Sequence, residues 1–192
     1  MKRLQFYLKH AVSIANCIHN KITPEERLIP IMLDDVVKYR DDIIVKYADL
    51  KGLDGFTVYD EVTKKYLVAI DNVNFEYERQ RFTLAHELGH VFLKHHTKNK
   101  NLPAYIQEQS ANAFAGELLM PLDMMFKTAR FPNNYILSTY AVSYSAYECR
   151  KAFLNKYYNF YEKTKNQKIL FFEDILYDTK YSLVFGGKKQ VK

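Results

Sequence analysis

One stretch of sequence decides how this chain folds and what it can do: Arg81-Phe82-Thr83-Leu84-Ala85-His86-Glu87-Leu88-Gly89-His90-Val91-Phe92. Its centre, His86 to His90, has the form H-E-x-x-H, the pattern with which a helix binds zinc and activates water. Residues four apart on an α-helix lie about 40° apart around its axis, so His86 and His90 aim at one point. Glu87 lies about 100° round from His86, which suits a general base better than an equal ligand.

The pattern has a simpler explanation, in which a buried helix carries two histidines that are satisfied by hydrogen bonds. The flanking positions are apolar on nearly every side, which predicts a buried helix. Two histidines and a carboxylate buried together need a strong partner, and a metal ion provides one. We therefore favour a metal site over the simpler explanation.

Catalytic zinc typically takes three protein ligands and a water, so the H-E-x-x-H pattern leaves one ligand to be found. The next predicted helix, residues 104–120, offers Glu108 and Glu117. Glu108 is favoured because the loop before it lets the chain return along the first helix, whereas Glu117 points to the opposite side. The alternative for Glu108 is a solvated carboxylate near a helix start. Asn112, one turn after Glu108, is placed to hydrogen-bond His86 and orient its ring.

Outside these two segments, the spacing of apolar and turn residues predicts helices at residues 4–20 and 33–50, the latter ended by Gly52. It also predicts strands at 55–60 and 65–71. The H-E-x-x-H helix is predicted to run from residue 75 to 95 or 96. Residues 66–71 are expected to form either the edge strand on which a substrate pairs or an interior strand.

Two further features have simple interpretations. His95 and His96 are interpreted as a helix C-terminal pair that interacts with the helix dipole. Residues 137–153 faintly resemble a helix-turn-helix, but Ser143 as an N-cap explains the pattern. Direct nucleic-acid binding is therefore not expected.

Composition limits the class of protein. A chain of 192 residues with 48% hydrophobic and 26% charged residues fits one globular domain, and the net charge of +6 does not by itself establish a nucleic-acid partner. Cys17 and Cys149 have no C-x-x-C spacing and are expected to be free thiols. With no apparent membrane span or signal peptide, the expected location is the cytoplasm.

The two motifs together resemble a known family. Arg81 to His90, followed by Glu108-x-x-Ala111-Asn112-x-Phe114-Ala115-x-x-Leu118-Leu119-Met120-Pro121, is similar to the ImmA/IrrE family of bacterial metallopeptidases. The resemblance covers roughly residues 50–122. It implies an α+β, zincin-like fold of the Glu-zincin type, with a small β-sheet packed on the H-E-x-x-H helix and several further helices. It also implies His86, His90 and Glu108 as Zn²⁺ ligands and Glu87 as catalytic base. Where thermolysin-like enzymes have an aspartate four residues after the ligand glutamate, this chain has Asn112.

The resemblance further implies a narrow substrate range. Family members typically cleave one helix-turn-helix repressor and so relieve repression of a mobile element or a stress regulon. The expected function is a zinc endopeptidase in which Glu87 activates a zinc-bound water. The alternative is a non-catalytic module that binds a repressor or DNA and retains the metal-site fold. We expect a metallopeptidase domain at residues 1–162 and a C-terminal hairpin or tail at 163–192, packed on the same domain.

Overall fold

The computed structural model describes residues 2–23 and 29–162, and within these ranges the protein has the α+β architecture expected of a zincin-like fold. Helices and a three-stranded sheet follow one another along the chain as α1 Lys2–Ile22, α2 Leu33–Lys38, β1 Ile43–Ala48, β2 Gly55–Asp60, β3 Lys65–Asp71, α3 Tyr77–Phe92, α4 Ala104–Leu119, α5 Leu122–Thr128, α6 Asn133–Tyr140 and α7 Tyr144–Glu162. The predicted helix at 4–20 and the predicted strands at 55–60 and 65–71 are thereby confirmed.

The sheet is mixed, in the order β1-β3-β2. β1 runs parallel to β3, and β2 runs antiparallel to it, with Thr57 opposite Val68. Tyr66, Val68 and Ile70 on the inner face of β3 are buried in the core that α3 covers. Of the two interpretations of residues 66–71, the interior strand is therefore correct, and β1 and β2 lie at the two edges of the sheet.

The predicted helix at 33–50 is wrong beyond its first two turns. The helix ends at Lys38, and Ile43-Ile44-Val45 begins β1 instead. These three residues are β-branched, which favours extended backbone. The strand is also needed by its neighbour, since without β1 one side of β3 would lack a hydrogen-bonding partner.

The H-E-x-x-H helix is shorter than predicted. α3 ends at Phe92, and Lys94 adopts a left-handed conformation with φ of 60°. The N–H of His95 donates to the carbonyl of His90 at 3.0 Å, and the N–H of Lys94 donates to that of Val91 at 3.0 Å. This pair of bonds is a Schellman motif, which turns the chain sharply back beneath the helix. His95 and His96 therefore lie in a turn rather than at a helix end.

α4 lies against α3 on one side and against α1 on the other. α1 contributes small and aliphatic side chains at helical spacing, namely Leu8, Ala11, Ala15 and Ile18, which are all buried. On the α3 side, an ideal Cβ added to Gly89 would lie 3.1 Å from the Ala111 Cα atom, so a larger residue would require the two helices to move apart by a few tenths of an ångström. The predicted helix at 104–120 is confirmed within one residue.

The faint helix-turn-helix pattern corresponds to α6 and α7. Ala141 ends α6 in a left-handed conformation, and Ser143 Oγ accepts the N–H of Ala146 at 3.2 Å. Ser143 is thus the N-cap that the sequence predicts. The predicted hairpin or tail at 163–192 lies outside the described residues, so the division at residue 162 remains a prediction. Among the described helices, none is both long and apolar enough to cross a membrane.

Asp71 holds together the chain segments that lead into β2 and α3. Its buried carboxylate accepts the N–H groups of Leu50 at 3.0 Å, Val73 at 2.8 Å and Asn74 at 2.8 Å, and the Asn74 side chain at 2.8 Å. Burial alone would raise the pKa of Asp71, but these hydrogen bonds together hold it well below its ordinary value.

We expect Asp71→Asn to lower the urea midpoint of unfolding at pH 7, because an amide replaces the charged acceptor and one of its oxygens becomes a donor. The folded-state pKa of Asp71 lies below its unfolded value, so its contribution is present above the unfolded pKa and is lost as pH falls below about 4. The difference in midpoint between wild type and variant should therefore shrink between pH 5 and pH 3. A difference that stays constant over this range would contradict the assignment.

Candidate metal centre

Three side chains from α3 and α4 converge on one point. His86 Nε2 and His90 Nε2 lie 3.0 Å apart. The Glu108 carboxylate lies 3.4 Å from His86 Nε2 and 3.6 Å from His90 Nε2. Each of the three residues offers a ligand atom within 4.8 Å of the others, and they are the one such group with three or more members in the described part of the chain. The structure thus brings together the three residues that the sequence proposes as ligands.

The spacing of these atoms fits a zinc ion. In a tetrahedral site with bonds of about 2.0–2.1 Å, neighbouring ligand atoms lie about 3.3 Å apart. The three observed separations of 3.0, 3.4 and 3.6 Å bracket that value. The donor set of two imidazoles and one carboxylate is the set found in thermolysin-type catalytic sites, which leave a fourth position for water. Glu108 is 57% exposed, so the site is open to solvent on the α4 side.

Asn112 holds the ring of His86. Its Oδ1 lies 2.9 Å from His86 Nδ1. Since an amide oxygen can only accept, Nδ1 must carry the proton, and the lone pair of His86 is left on Nε2. Because Nε2 is the nitrogen that faces Glu108, His86 must have its lone pair there to bind a metal ion at this point.

His90 is surrounded by other histidines and is kept neutral. Burial, and after it the potential like charges of His86, His95 and His96, together lower the pKa of His90 to about 3. Burial and His96 in the same way lower the pKa of His95 to about 4. His95 Nδ1 lies 3.1 Å from His90 Nδ1, on the side of the ring away from Glu108. His95 therefore contacts His90 directly, which the dipole interpretation of the sequence missed.

Glu87 lies beside the three converging residues and is held by the edge strand. Thr57 of β2 donates from Oγ1 to Glu87 Oε2 at 2.7 Å. Burial raises the pKa of the Glu87 carboxyl above its ordinary value, while the hydrogen bond from Thr57 and the nearby His86 act against this effect. A carboxylate with a raised pKa is a stronger base, which is the property required of a proton acceptor.

Glu117 has a different role from Glu108. It is buried, and Arg150 of α7 donates to its Oε2, while Asn16 of α1 donates to its Oε1 at 3.1 Å. It therefore links three helices and lies away from the converging residues, as its helical phase predicts.

Sequence reasoning did not identify Thr57 or His95. Thr57 is 30 positions from Glu87, and no spacing rule connects a strand residue to a helix residue at that distance. His95 could have been suspected, because a further histidine five residues after His90 becomes a neighbour if the helix ends between them.

Comparisons with known proteins identify the family and the fold. The family model of Peptidase M78, the IrrE N-terminal-like domain, matches residues 43–151, which is more than half of the chain. Among solved structures, a Mycobacterium tuberculosis transcriptional regulator is similar, with a TM-score of 0.53 and 15% sequence identity. The match covers 75% of this chain and 49% of the regulator, so it spans about half of that protein's length. At this identity the likeness shows the fold alone. No curated protein matches the chain.

Two matched substitutions distinguish the candidate ligand from the structural glutamate. We expect Glu108→Gln to weaken zinc binding by more than about 100-fold, beyond the effect typical of a residue that only orients a ligand. The metal-free variant should unfold like wild type, because Glu108 is half exposed. Zinc affinity is measured by competition with a chelator, and stability by urea unfolding.

Glu117→Gln should behave in the opposite way. It leaves Arg150 buried without its counter-charge, so the free energy of unfolding should fall by about 3–5 kcal/mol. Its zinc affinity under folding conditions should match wild type. If Glu117→Gln loses zinc while Glu108→Gln retains it, the ligand assignment is wrong.

Proposed function

Because the chain belongs to the Peptidase M78 family, we propose that it is a zinc-dependent endopeptidase in which His86, His90 and Glu108 hold the metal and Glu87 is the catalytic base. The observation that carries the proposal is the convergence of the three ligand atoms beside the half-buried carboxylate of Glu87. A site built only for stability would not need a strong base placed next to open ligand positions.

The chain's own residues supply the proton transfers of peptide hydrolysis. Glu87 takes a proton from a water molecule whose oxygen then forms a bond to the carbonyl carbon of the substrate. The protonated Glu87 next gives that proton to the amide nitrogen as the carbon–nitrogen bond breaks. Thr57 occupies Glu87 Oε2, so Oε1 is the oxygen left for this exchange. Zinc, when bound, would supply Lewis-acid polarisation of the carbonyl and a lowered pKa of the water.

The edge strand β2 is suited to hold the substrate. It pairs with β3 on one side, and no strand of the described chain pairs with its other side. A peptide can therefore add to β2 as a further strand through main-chain hydrogen bonds. Thr57 belongs to this strand and touches Glu87, so a peptide bound along β2 would pass close to the base.

A cavity beside the metal centre is suited to an apolar side chain of the substrate. It has a volume of about 480 Å³ and lies between α3, α4 and α7. Asn112, which contacts His86, forms part of its wall. Most of the other lining is apolar and includes Phe82, Ala146 and Phe153. Because this apolar cavity reaches the site through Asn112, it is placed to hold a substrate side chain near the cut bond.

We place the substrate among helix-turn-helix transcriptional repressors in the cytoplasm, with cleavage relieving repression of a mobile element or a stress regulon. The support is the likeness of the two motifs to the ImmA/IrrE family, together with a similar solved structure that is itself described as a transcriptional regulator. Two free cysteines, Cys17 and Cys149, are compatible with a reducing compartment.

Glu87→Gln tests whether the chain is a peptidase or a binding module. The variant keeps the shape of the side chain and removes the base, so zinc content should stay at wild-type level while cleavage falls at least about 100-fold. The assay incubates the zinc-loaded full chain with a helix-turn-helix repressor, chosen from the neighbouring genes where one is encoded there, and detects cleavage products by mass spectrometry.

Glu61→Gln is the matched control, because it makes the same change in the exposed turn between β2 and β3. Its cleavage rate should equal wild type. If the repressor stays intact with wild type while binding tightly to both wild type and Glu87→Gln, the non-catalytic alternative is correct.

Modification of Cys149 tests the role of the cavity. Cys149 is exposed and lines the cavity, whereas Cys17 is exposed on α1. A bulky maleimide on Cys149 should fill the space for the substrate side chain and slow repressor cleavage several-fold or more. Cys149→Ser, treated in the same way and modified at Cys17 alone, should keep its rate. Equal rates for both modified proteins would show that the cavity takes no part in substrate binding.

A further inference from the structure

We propose that His95 and Ser110 are positioning residues that set the tautomer and orientation of His90 for metal binding. The proposal rests on the proposed function, since it assumes that His90 is a ligand. It assigns a role to two residues outside the H-E-x-x-H motif and outside the Glu108–Asn112 pair.

The turn after α3 places His95 directly behind His90. The Schellman motif at Lys94 brings the chain back, and the His95 side chain is buried with 3% exposure. Its Nδ1 lies 3.1 Å from His90 Nδ1, and its Nε2 lies 3.4 Å from Ser110 Oγ. His95 thus bridges a ligand on α3 and a hydroxyl on α4.

The hydrogen bonds run in series from His90 through His95 to Ser110, and their direction follows from the last residue, Ser110. Ser110 Oγ lies 2.6 Å from the carbonyl oxygen of Ile106, which can only accept, so the single hydroxyl proton points there. Ser110 Oγ must then accept from His95, so His95 carries its proton on Nε2. The lone pair of His95 is therefore on Nδ1, and it accepts the proton of His90 Nδ1. The lone pair of His90 is left on Nε2, which faces His86 and Glu108.

The two histidine ligands are thereby held by different acceptors. His86 donates to the amide of Asn112, and His90 donates to the ring of His95. Both series of hydrogen bonds end on α4, at Asn112 and at Ser110, and the same helix carries Glu108. Because a ligand histidine that is free to adopt either tautomer binds metal less well, loss of an orienting partner typically costs about 10–100-fold in metal affinity.

His95→Leu tests the proposal, because leucine keeps the site filled with a buried side chain and removes the acceptor. Zinc affinity of the full chain, measured by chelator competition, should fall by about 10–100-fold. The visible spectrum of the Co²⁺-substituted protein should also change, since it reports the geometry of the ligands. Urea unfolding of the metal-free protein provides a separate readout of any purely structural effect.

Two variants serve as controls. His95→Asn puts an amide oxygen where the ring has Nδ1, so it should bind zinc within a few-fold of wild type. His96→Leu makes the same substitution at the next residue, for which no hydrogen bond to His90 is found among the described residues, and should also stay within a few-fold. Ser110→Ala should weaken zinc binding several-fold. If His95→Leu does not fold, the zinc affinity of Ser110→Ala tests the proposal in its place.

The outcomes separate this inference from the proposed function. If wild type fails to bind one zinc ion, the proposed function itself is wrong. If wild type binds zinc and both His95→Leu and Ser110→Ala bind it equally well, only the role of His95 and Ser110 is overturned. A loss in His95→Leu that His95→Asn does not restore would also overturn it, because the loss would then come from packing and not from the acceptor.

Discussion

The close approach of α3 and α4 at Gly89 and Ala111 is the constraint on which the rest of the site depends. A Cβ on Gly89 would lie 3.1 Å from the backbone of Ala111, so the two helices meet at their smallest side chains. The residues that form the candidate site are placed symmetrically about this contact. His86 lies three positions before Gly89 and His90 one position after it, while Glu108 and Asn112 lie three before and one after Ala111. One crossing point therefore brings both pairs into reach of each other.

Buried and partly buried polar side chains surround this crossing, and four of them are held by specific partners. Glu87 is held by Thr57 from the edge strand, His86 by Asn112, and His90 by His95. On the far side of α4, Glu117 is neutralised by Arg150 and bonded by Asn16. Because unsatisfied buried groups are costly, these contacts limit how far α4 can rotate or slide against α3. The Glu117 contacts lie on the opposite face of α4 and stabilise its packing against α1 and α7.

Local sequence patterns predicted much of the fold, and the errors share one cause. The strands at 55–60 and 65–71 and the helix from residue 104 were predicted closely, because alternation, a polar turn and Pro103 are signals within a few residues of each other. The segment at 43–48 was predicted as helix, since its apolar spacing fits either periodicity, and only pairing with β3 selects the strand. The end of α3 was placed too late because Lys94 is not a residue that usually marks a left-handed cap.

The sequence by itself determined the spacing of His86, Glu87 and His90, because helical geometry fixes their directions once the helix forms. It also favoured Glu108 over Glu117 and placed Asn112 one turn away, for the same reason. Tertiary structure alone decided that β3 is the interior strand and β2 an edge strand, that Thr57 holds Glu87, and that His95 lies behind His90. These contacts depend on strand order, on the close packing of two helices and on a left-handed turn, which bring together residues that no local periodicity relates.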